Sequence, residues 1–167
     1  MQPRGLDRIS TTDATQKDLR SAFGQFATGV TLVTALGPKG PVGMTANSFS
    51  SVSLEPALVL WCPAKSSSRY PAFAEATHFA IHVLAADQRE VAMAFAKNGQ
   101  AFDGLDVFVN DQDVPLLSDC LARFECRTRA VHDAGDHSIV LGEVTALATG
   151  KGEPLIFCKG CFGAFDK

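Results

Sequence analysis

The residues best equipped for chemistry lie in residues 43–60, GMTANSFSSVSLEPALVL. Asn47, Ser48, Ser50 and Ser51 place an amide and three hydroxyls in close succession, with Phe49 among them. Short side chains let backbone N–H groups approach a flat, acceptor-rich ligand, and hydroxyls add donors for carbonyl or phosphate oxygens. After Ser53 the chain turns at Glu55-Pro56 into the apolar run Ala57-Leu58-Val59-Leu60. Composition alone is equally met by a serine-rich strand edge followed by a turn, because serine clusters are common in loops.

Three smaller features carry further chemistry. Residues 63–69, PAKSSSR, hold two cations and three hydroxyls. His137 directly follows the turn signal Gly135-Asp136, so it stands at the mouth of a strand, where an imidazole can touch a ligand without full burial. A surface histidine capping a strand end reads the same way. Cys158-Lys159-Gly160-Cys161 has the C-x-x-C spacing of redox and zinc sites, but no second such pair accompanies it. Its flanks, Leu155-Ile156-Phe157 and Phe162, look like a strand entering a turn.

Several sites are excluded. Gly37, Gly40 and Gly43 do not make the G-x-G-x-x-G fingerprint of dinucleotide-binding sheets. Gly24 and Gly29 are not followed by the Lys-Ser/Thr of a phosphate loop. No G-x-S-x-G is present, so a nucleophile elbow finds no support. His78, His82, His132 and His137 lack metal-site spacing, and His78 and His82 fall in a strand context as structural or exposed residues.

The elements that must position these residues follow from periodicity. The chain has 167 residues, 46% of them hydrophobic, which predicts one domain with a real core. A net charge of -3 gives no reason to expect a nucleic-acid partner. No run approaches the roughly 20 apolar residues of a membrane span. The first 20 residues lack the apolar core of a signal peptide, and five cysteines without such a signal fit reduced thiols, so a cytoplasmic protein is expected.

Residues 1–14 read as a flexible arm and 15–167 as the domain. Thr15 with Asp18 resembles a capping box. Leu19, Ala22, Phe23, Phe26 and Ala27 then follow helical spacing, with Gly29 as the stop. Strands are expected at 30–35, on both sides of a polar corner within 43–62, and at 79–84. A short helix is expected after Pro71, and another after Asp87 with Val91, Ala94 and Phe95 inside. Residues 107–109 form a weak strand. From 121 to 132 the period is two, with Ala122, Phe124, Cys126, Thr128 and Ala130 on one face and Arg123, Glu125, Arg127 and Arg129 on the other. Residues 138–147 form the next strand, where Gly142 marks a bulge or a close approach. The last strand is 155–158. Short strands outnumber helices without regular β-α alternation, which predicts an antiparallel barrel with a few helices outside.

The order F-x-x-F-A-T-G-V-T from Phe23, then GMTANSFSSVSLEP, then Gly-Asp-His at 135–137, then P-L-I-F and G-x-F-G near the end, resembles the short-chain flavin reductases. These are reductase components of two-component flavin-dependent monooxygenases. The resemblance runs from about Lys17 to Phe165. It implies a mainly β fold, an FMN-binding split β-barrel of Greek-key type, that pairs as a homodimer with FMN or FAD near the interface. By motif position, Thr45, Ala46, Asn47, Ser48 and Phe49 face the isoalloxazine ring and ribityl chain, and Ser51 and Val52 continue that wall. Lys65, Ser66, Ser67 and Ser68 fall at the flavin phosphate, where a dianion needs a cation and several donors. Phe95, Ala96 and Lys97 match a segment beside the flavin. His137 matches the histidine that meets the nicotinamide nucleotide, and Cys161, Phe162 and Gly163 match a segment beside that nucleotide.

The implied reaction is hydride transfer from NADH or NADPH to flavin, which then supplies a separate monooxygenase by diffusion. Such chemistry needs no side-chain nucleophile, and none is visible. Two alternatives stand beside it: a related flavoprotein using bound flavin to reduce a corrinoid or ferric chelate, and a non-catalytic flavin- or haem-binding module.

Overall fold

Period-two sequence dominates the chain, and strands dominate the structure. The computed structural model describes residues 5–165. Residues 1–4 of the expected arm, and 166–167 at the other end, lie outside the described residues. In chain order the elements are α1 (Gln16–Phe23), β1 (Thr28–Gly29), β2 (Thr31–Gly37), β3 (Gly40–Ala46), β4 (Ser50–Leu54) and β5 (Ala57–Trp61). Next come α2 (Tyr70–Ala74), β6 (His78–Val83), a 3₁₀ turn (Ala86–Gln88), α3 (Arg89–Lys97), β7 (Val107–Val109) and β8 (Pro115–Leu117). The long pair β9 (Ala122–Ala134) and β10 (His137–Thr149) precedes β11 (Leu155–Cys158) and β12 (Cys161–Ala164).

Seven strands form one antiparallel sheet in the order β3-β2-β6-β9-β10-β5-β4. Among the described residues no pairing joins β3 to β4, so hydrogen bonds do not close this sheet. A three-stranded sheet, β1-β11-β12, and the ribbon β7-β8 complete the set. The fold is thus mainly β and antiparallel, with three α-helices.

The core sits in two clusters. One gathers Val33, Trp61, Phe73, Phe79, Ile81 and Val140. The other packs Leu32, Leu84, Ala92, Phe95 and Leu155. Trp61 meets Phe73 edge to face at 5.0 Å, the geometry aromatic quadrupoles favour.

Most of the expected elements are present. The Thr15–Asp18 capping box forms, with both reciprocal bonds made. Gly142 serves both expected purposes. The register between β9 and β10 shifts at Leu141/Gly142, and a Cβ there would meet Phe79 Cζ at 2.5 Å.

Three expectations need correction. Helix α1 stops at Phe23: past the cap at Gly24 the N–H groups of Gln25 and Phe26 bond to the carbonyls of Ala22 and Phe23, three residues back rather than four. Phe23 at its end is 73% exposed and Phe26, beyond it, 77%. In α3 the buried residues are Ala92 and Phe95, while Ala94 faces solvent. The polar corner contains a strand of its own, β4, where Ser50 and Ser51 are exposed on a sheet edge. Strand β8 was not anticipated; the Thr34 hydroxyl, far away in sequence, donates to the Pro115 carbonyl at 2.5 Å and helps fix it.

The two strand histidines separate as structure requires. His78 lies part-exposed at the start of β6, whereas His82 is fully buried. The ring of His82 joins the Leu32 carbonyl through Nδ1 at 3.0 Å and accepts the Leu117 N–H through Nε2 at 3.1 Å. This pairing fixes a neutral tautomer with its proton on Nδ1. Burial, offset by the Leu32 bond and aided by the Arg123 charge, lowers its pKa to about 4.

Candidate functional site

The polar corner is held from three sides. At the end of β3, the Thr45 hydroxyl donates to the Ala92 carbonyl of α3 at 2.7 Å, and the Thr31 hydroxyl donates to the Ala46 carbonyl at 2.8 Å. Ser48 Oγ accepts the Cys62 N–H at 2.9 Å and donates to the Cys62 carbonyl at 3.3 Å, tying the corner to the end of β5. Phe49 stacks on Phe124 with ring centroids 5.6 Å apart. Thr45, Ser48 and Phe49 therefore spend their side chains on holding the corner. Asn47 and Ser51 are exposed, and no partner engages either side chain among the described residues. Val52 is the extra residue of a bulge, since Ser51 pairs with Val59 and Ser53 with Leu58.

Residues 63–69 meet this corner through the turn between β9 and β10. The Lys65 N–H donates to the Asp136 carbonyl at 2.9 Å, and the Ser138 N–H donates to the Pro63 carbonyl at 3.1 Å. The Lys65 ammonium bonds the Gly135 carbonyl at 2.6 Å and pairs with Asp133. Its charge is thus directed at the turn. Ser67 Oγ accepts the Arg69 N–H at 3.2 Å. Ser66 and Ser68 are exposed, and no hydrogen bond engages either residue among the described residues. Free hydroxyls and free N–H groups on one short loop are an anion-binding set.

Arg69 is the functional residue that sequence reading left aside, although it was the second cation of its run. Its guanidinium bonds the carbonyls of Gly43 at 3.1 Å, Phe95 at 2.5 Å and Ala96 at 3.2 Å. One planar fork therefore clamps β3 to the end of α3. Phe95 is buried edge-on against Phe102 at 4.8 Å, whereas Ala96 and Lys97 are exposed. Lys97, Ser68, Arg69 and Lys39 line an open groove of about 410 Å³. Three cations beside a free serine make it electropositive.

His137 opens β10, pairs across an isolated bridge with Ala64, and keeps 44% of its side chain exposed. Its Nδ1 lies 2.7 Å from Asp136 Oδ1. With Nδ1 as the donor, Nε2 is left as the outward acceptor. The hydrogen bond from His137, and then the charge of that ring when it is protonated, hold the exposed Asp136 carboxyl below its ordinary value.

The C-terminal segment stands on the smaller sheet. Cys161 is exposed, Phe162 meets Phe157 at 5.3 Å and the Arg89 guanidinium at 5.7 Å, and Gly163 pairs with Ile156. Among the described residues no hydrogen bond, ion pair or ring contact joins His137 to residues 161–163. What links this sheet to the corner is a slot of about 380 Å³ lined by Phe23, Phe26, Thr28, Phe157 and Asn47. The Thr28 hydroxyl is buried there without a partner. An apolar slot with one orphaned hydroxyl and one free amide suits a planar, heteroatom-rich ring. Thr28 stands in the A-T-G-V-T run of the sequence, but its burial depends on the pairing of β1 with β11. Among the described residues no group of three or more His, Cys, Asp or Glu side chains could hold a metal ion.

Residues 23–166 match the flavin reductase like domain. The chain belongs to the flavin reductase family. It is 60% identical over 151 residues to an Agrobacterium fabrum protein named FMN reductase (NADH) SmoA, covering 90% of this chain and 87% of that protein. It is 48% identical over 140 residues to the reductase component of the flavin-dependent trigonelline monooxygenase of Acinetobacter baylyi, covering 81% of this chain but only 45% of that longer protein. Among solved structures, the NADH:FAD oxidoreductase SgcE6 of Streptomyces globisporus, in complex with NAD and FAD fragments, superposes with a TM-score of 0.87 at 37% identity. That likeness covers 96% of this flavin reductase family member and 98% of SgcE6.

Proposed function

We propose that this protein is an NAD(P)H:flavin oxidoreductase that reduces FMN or FAD for a separate flavin-dependent monooxygenase. The reading is supported by the family, by the activities for which SmoA and SgcE6 are named, and by the donor set of the site. The observation that carries it is the 63–69 loop, where Ser66 and Ser68 stay free for an anion beside Arg69 and Lys97.

The residues present fit a flavin. Ser66, Ser67 and Ser68 would hold its phosphate, with Lys97 near and Lys65 available by exchange from its exposed Asp133 partner. Thr45, Ala46, Asn47, Ser48 and Phe49 would frame the ring and ribityl chain, with Ser51 and Val52 beyond them and Phe95 and Ala96 behind. Asn47, whose amide is free, would donate to or accept from ring heteroatoms. When bound, the flavin accepts a hydride from the reduced nicotinamide. The chain's own task is to orient both partners and to exclude competing geometries. His137 would position the nucleotide through Nε2, with Asp136 fixing the ring. Cys161, Phe162 and Gly163 would border the same nucleotide, with the free Thr28 hydroxyl close to that border.

The seven-stranded antiparallel sheet with its accompanying smaller sheet is consistent with a split barrel of Greek-key type spanning 15–167, with 1–14 as an arm. A homodimer is supported by the apolar stripe of α1, where Phe23 and Phe26 lie open. No described helix is long and apolar enough to cross a membrane, and a cytoplasmic setting is proposed.

The test is loss of absorbance at 340 nm with each pairing of NADH or NADPH with FMN or FAD. Turnover that scales with added free flavin is expected. Flavin that stays bound through dialysis while free flavin is turned over poorly, or flavin binding without nucleotide oxidation, contradicts the proposal. For His137→Ala, the KM for the nucleotide is expected to rise about 10-fold, as for one lost polar contact, with flavin affinity unchanged. Equal loss of both would assign His137 a general structural part instead.

A further inference from the structure

Cys158-Lys159-Gly160-Cys161 forms the tip of the β11–β12 hairpin, and the reaction above makes no use of the paired thiols. Cys158 and Cys161 are direct cross-strand partners, so their Cβ atoms lie on one face of the ribbon. Between them Lys159 has φ 52° and Gly160 φ 80°, the two left-handed residues of a type I′ turn. Partners closing such a turn stand about 5.5 Å apart at Cα. A disulfide spans roughly 4.4–6.8 Å between Cα atoms.

Both cysteines are free, with Cys161 exposed and Cys158 half-buried. The Cys158 thiol donates to the Gly24 carbonyl at 3.6 Å, and the Lys159 N–H donates to the same oxygen at 2.8 Å. Gly24 caps α1 and, with Phe23, Phe26 and Asn47, lines the slot beside the polar corner. The other three cysteines are of a different kind. Burial pushes the Cys126 thiol up to about 12 and raises those of Cys62 and Cys120 as well. Thiols held protonated are poor nucleophiles.

We propose that Cys158 and Cys161 are a reversible oxidation site: hydrogen peroxide converts the hairpin dithiol to an intramolecular disulfide, which slackens the tie between the hairpin and the end of α1. The Cys161 thiolate attacks peroxide, breaking the O–O bond and giving a sulfenic acid and, after proton uptake, water. The Cys158 thiol then displaces the sulfenic oxygen as a second water while the S–S bond forms. Two thiols lose two electrons, and one peroxide becomes two waters. Reduced flavin meeting dioxygen yields this oxidant, so only the source of the peroxide rests on the flavin reading. Added peroxide makes the two fail separately. Once Cys158 is in a disulfide, the Gly24 carbonyl keeps one of its two donors.

The experiment treats the reduced full chain with hydrogen peroxide and counts thiols. A fall from five free cysteines to three is expected, restored by dithiothreitol. Trypsin cuts after Lys159, so the disulfide must hold together two peptides that separate on reduction. Amide exchange at Lys159 and Gly24 is expected to quicken about 5-fold, as for one lost hydrogen bond. Cys158→Ser keeps a donor for Gly24 and must form no such disulfide. An unchanged thiol count, or oxidation mapping to Cys62, Cys120 or Cys126, overturns the site. Unchanged exchange in the oxidised chain overturns the coupling to α1.

Discussion

Two groups of polar residues divide the molecule, one in the sheet and one on its rim. In the sheet, Thr31, Thr34 and His82 are buried, and each has found a backbone partner. On the rim, Asn47, Ser51, Ser66 and Ser68 have side chains that no protein group engages among the described residues. Burying an unpaired polar group is costly, and these three sit where a backbone group meets that cost. The rim is free of that constraint, and its unspent donors are what a ligand can take up. Substitutions in the first group should therefore change stability, and substitutions in the second should change binding.

The largest effect is expected at His82. His82→Ala removes a fully buried ring and orphans the Leu32 carbonyl and the Leu117 N–H. A loss of about 3–5 kcal/mol in unfolding free energy is expected from urea titration. A loss below about 1 kcal/mol would mean that the site collapses or hydrates easily, and would blur the contrast.

Gly142→Ala comes next. Its new Cβ would meet Phe79 Cζ at 2.5 Å, and Phe79 is itself buried at 2% exposure, so the ring cannot swing away. Overpacking of this kind costs about 1–3 kcal/mol. A thermal midpoint equal to that of the unaltered chain would show slack that the packing does not suggest.

Acid should expose the same contrast without a mutation. His82 titrates at about 4 in the folded chain, against an ordinary value of 6.5. Between those values the unfolded chain binds a proton that the folded one refuses, so stability falls as pH falls through that window. The expected loss from this residue is roughly 2 kcal/mol between pH 7 and pH 5, read from urea midpoints. Constant stability over that range would contradict the buried neutral ring.

Much of this division was legible in the sequence, for definite reasons. The Thr15–Asp18 box, the alternation along β9 and the need for glycine at 142 are local signals, and local geometry honours them. The serine corner was visible as a place, but composition could not tell strand β4 from a loop, because an edge strand need not bury either face. Arg69 was visible as a cation, yet its partners on β3 and α3 come together only through the fold. The apolar stripe that ends at Phe23 was visible as a stripe, but periodicity records that a helix has an apolar side and not what covers it. Thr28 was visible as part of the A-T-G-V-T run, without a sign that its hydroxyl would be left unpaired.

The smallest effect on stability should accompany the clearest effect on binding. The most direct measurement is a flavin titration, followed by fluorescence, of the unaltered protein and of a Ser66→Ala, Ser68→Ala double variant, with thermal midpoints taken alongside. The account predicts flavin affinity lower by about 10–100-fold, as for two lost hydrogen bonds to a charged group, with the midpoint unmoved. Unchanged affinity in a variant that remains folded would contradict the claim that these free rim donors receive the phosphate.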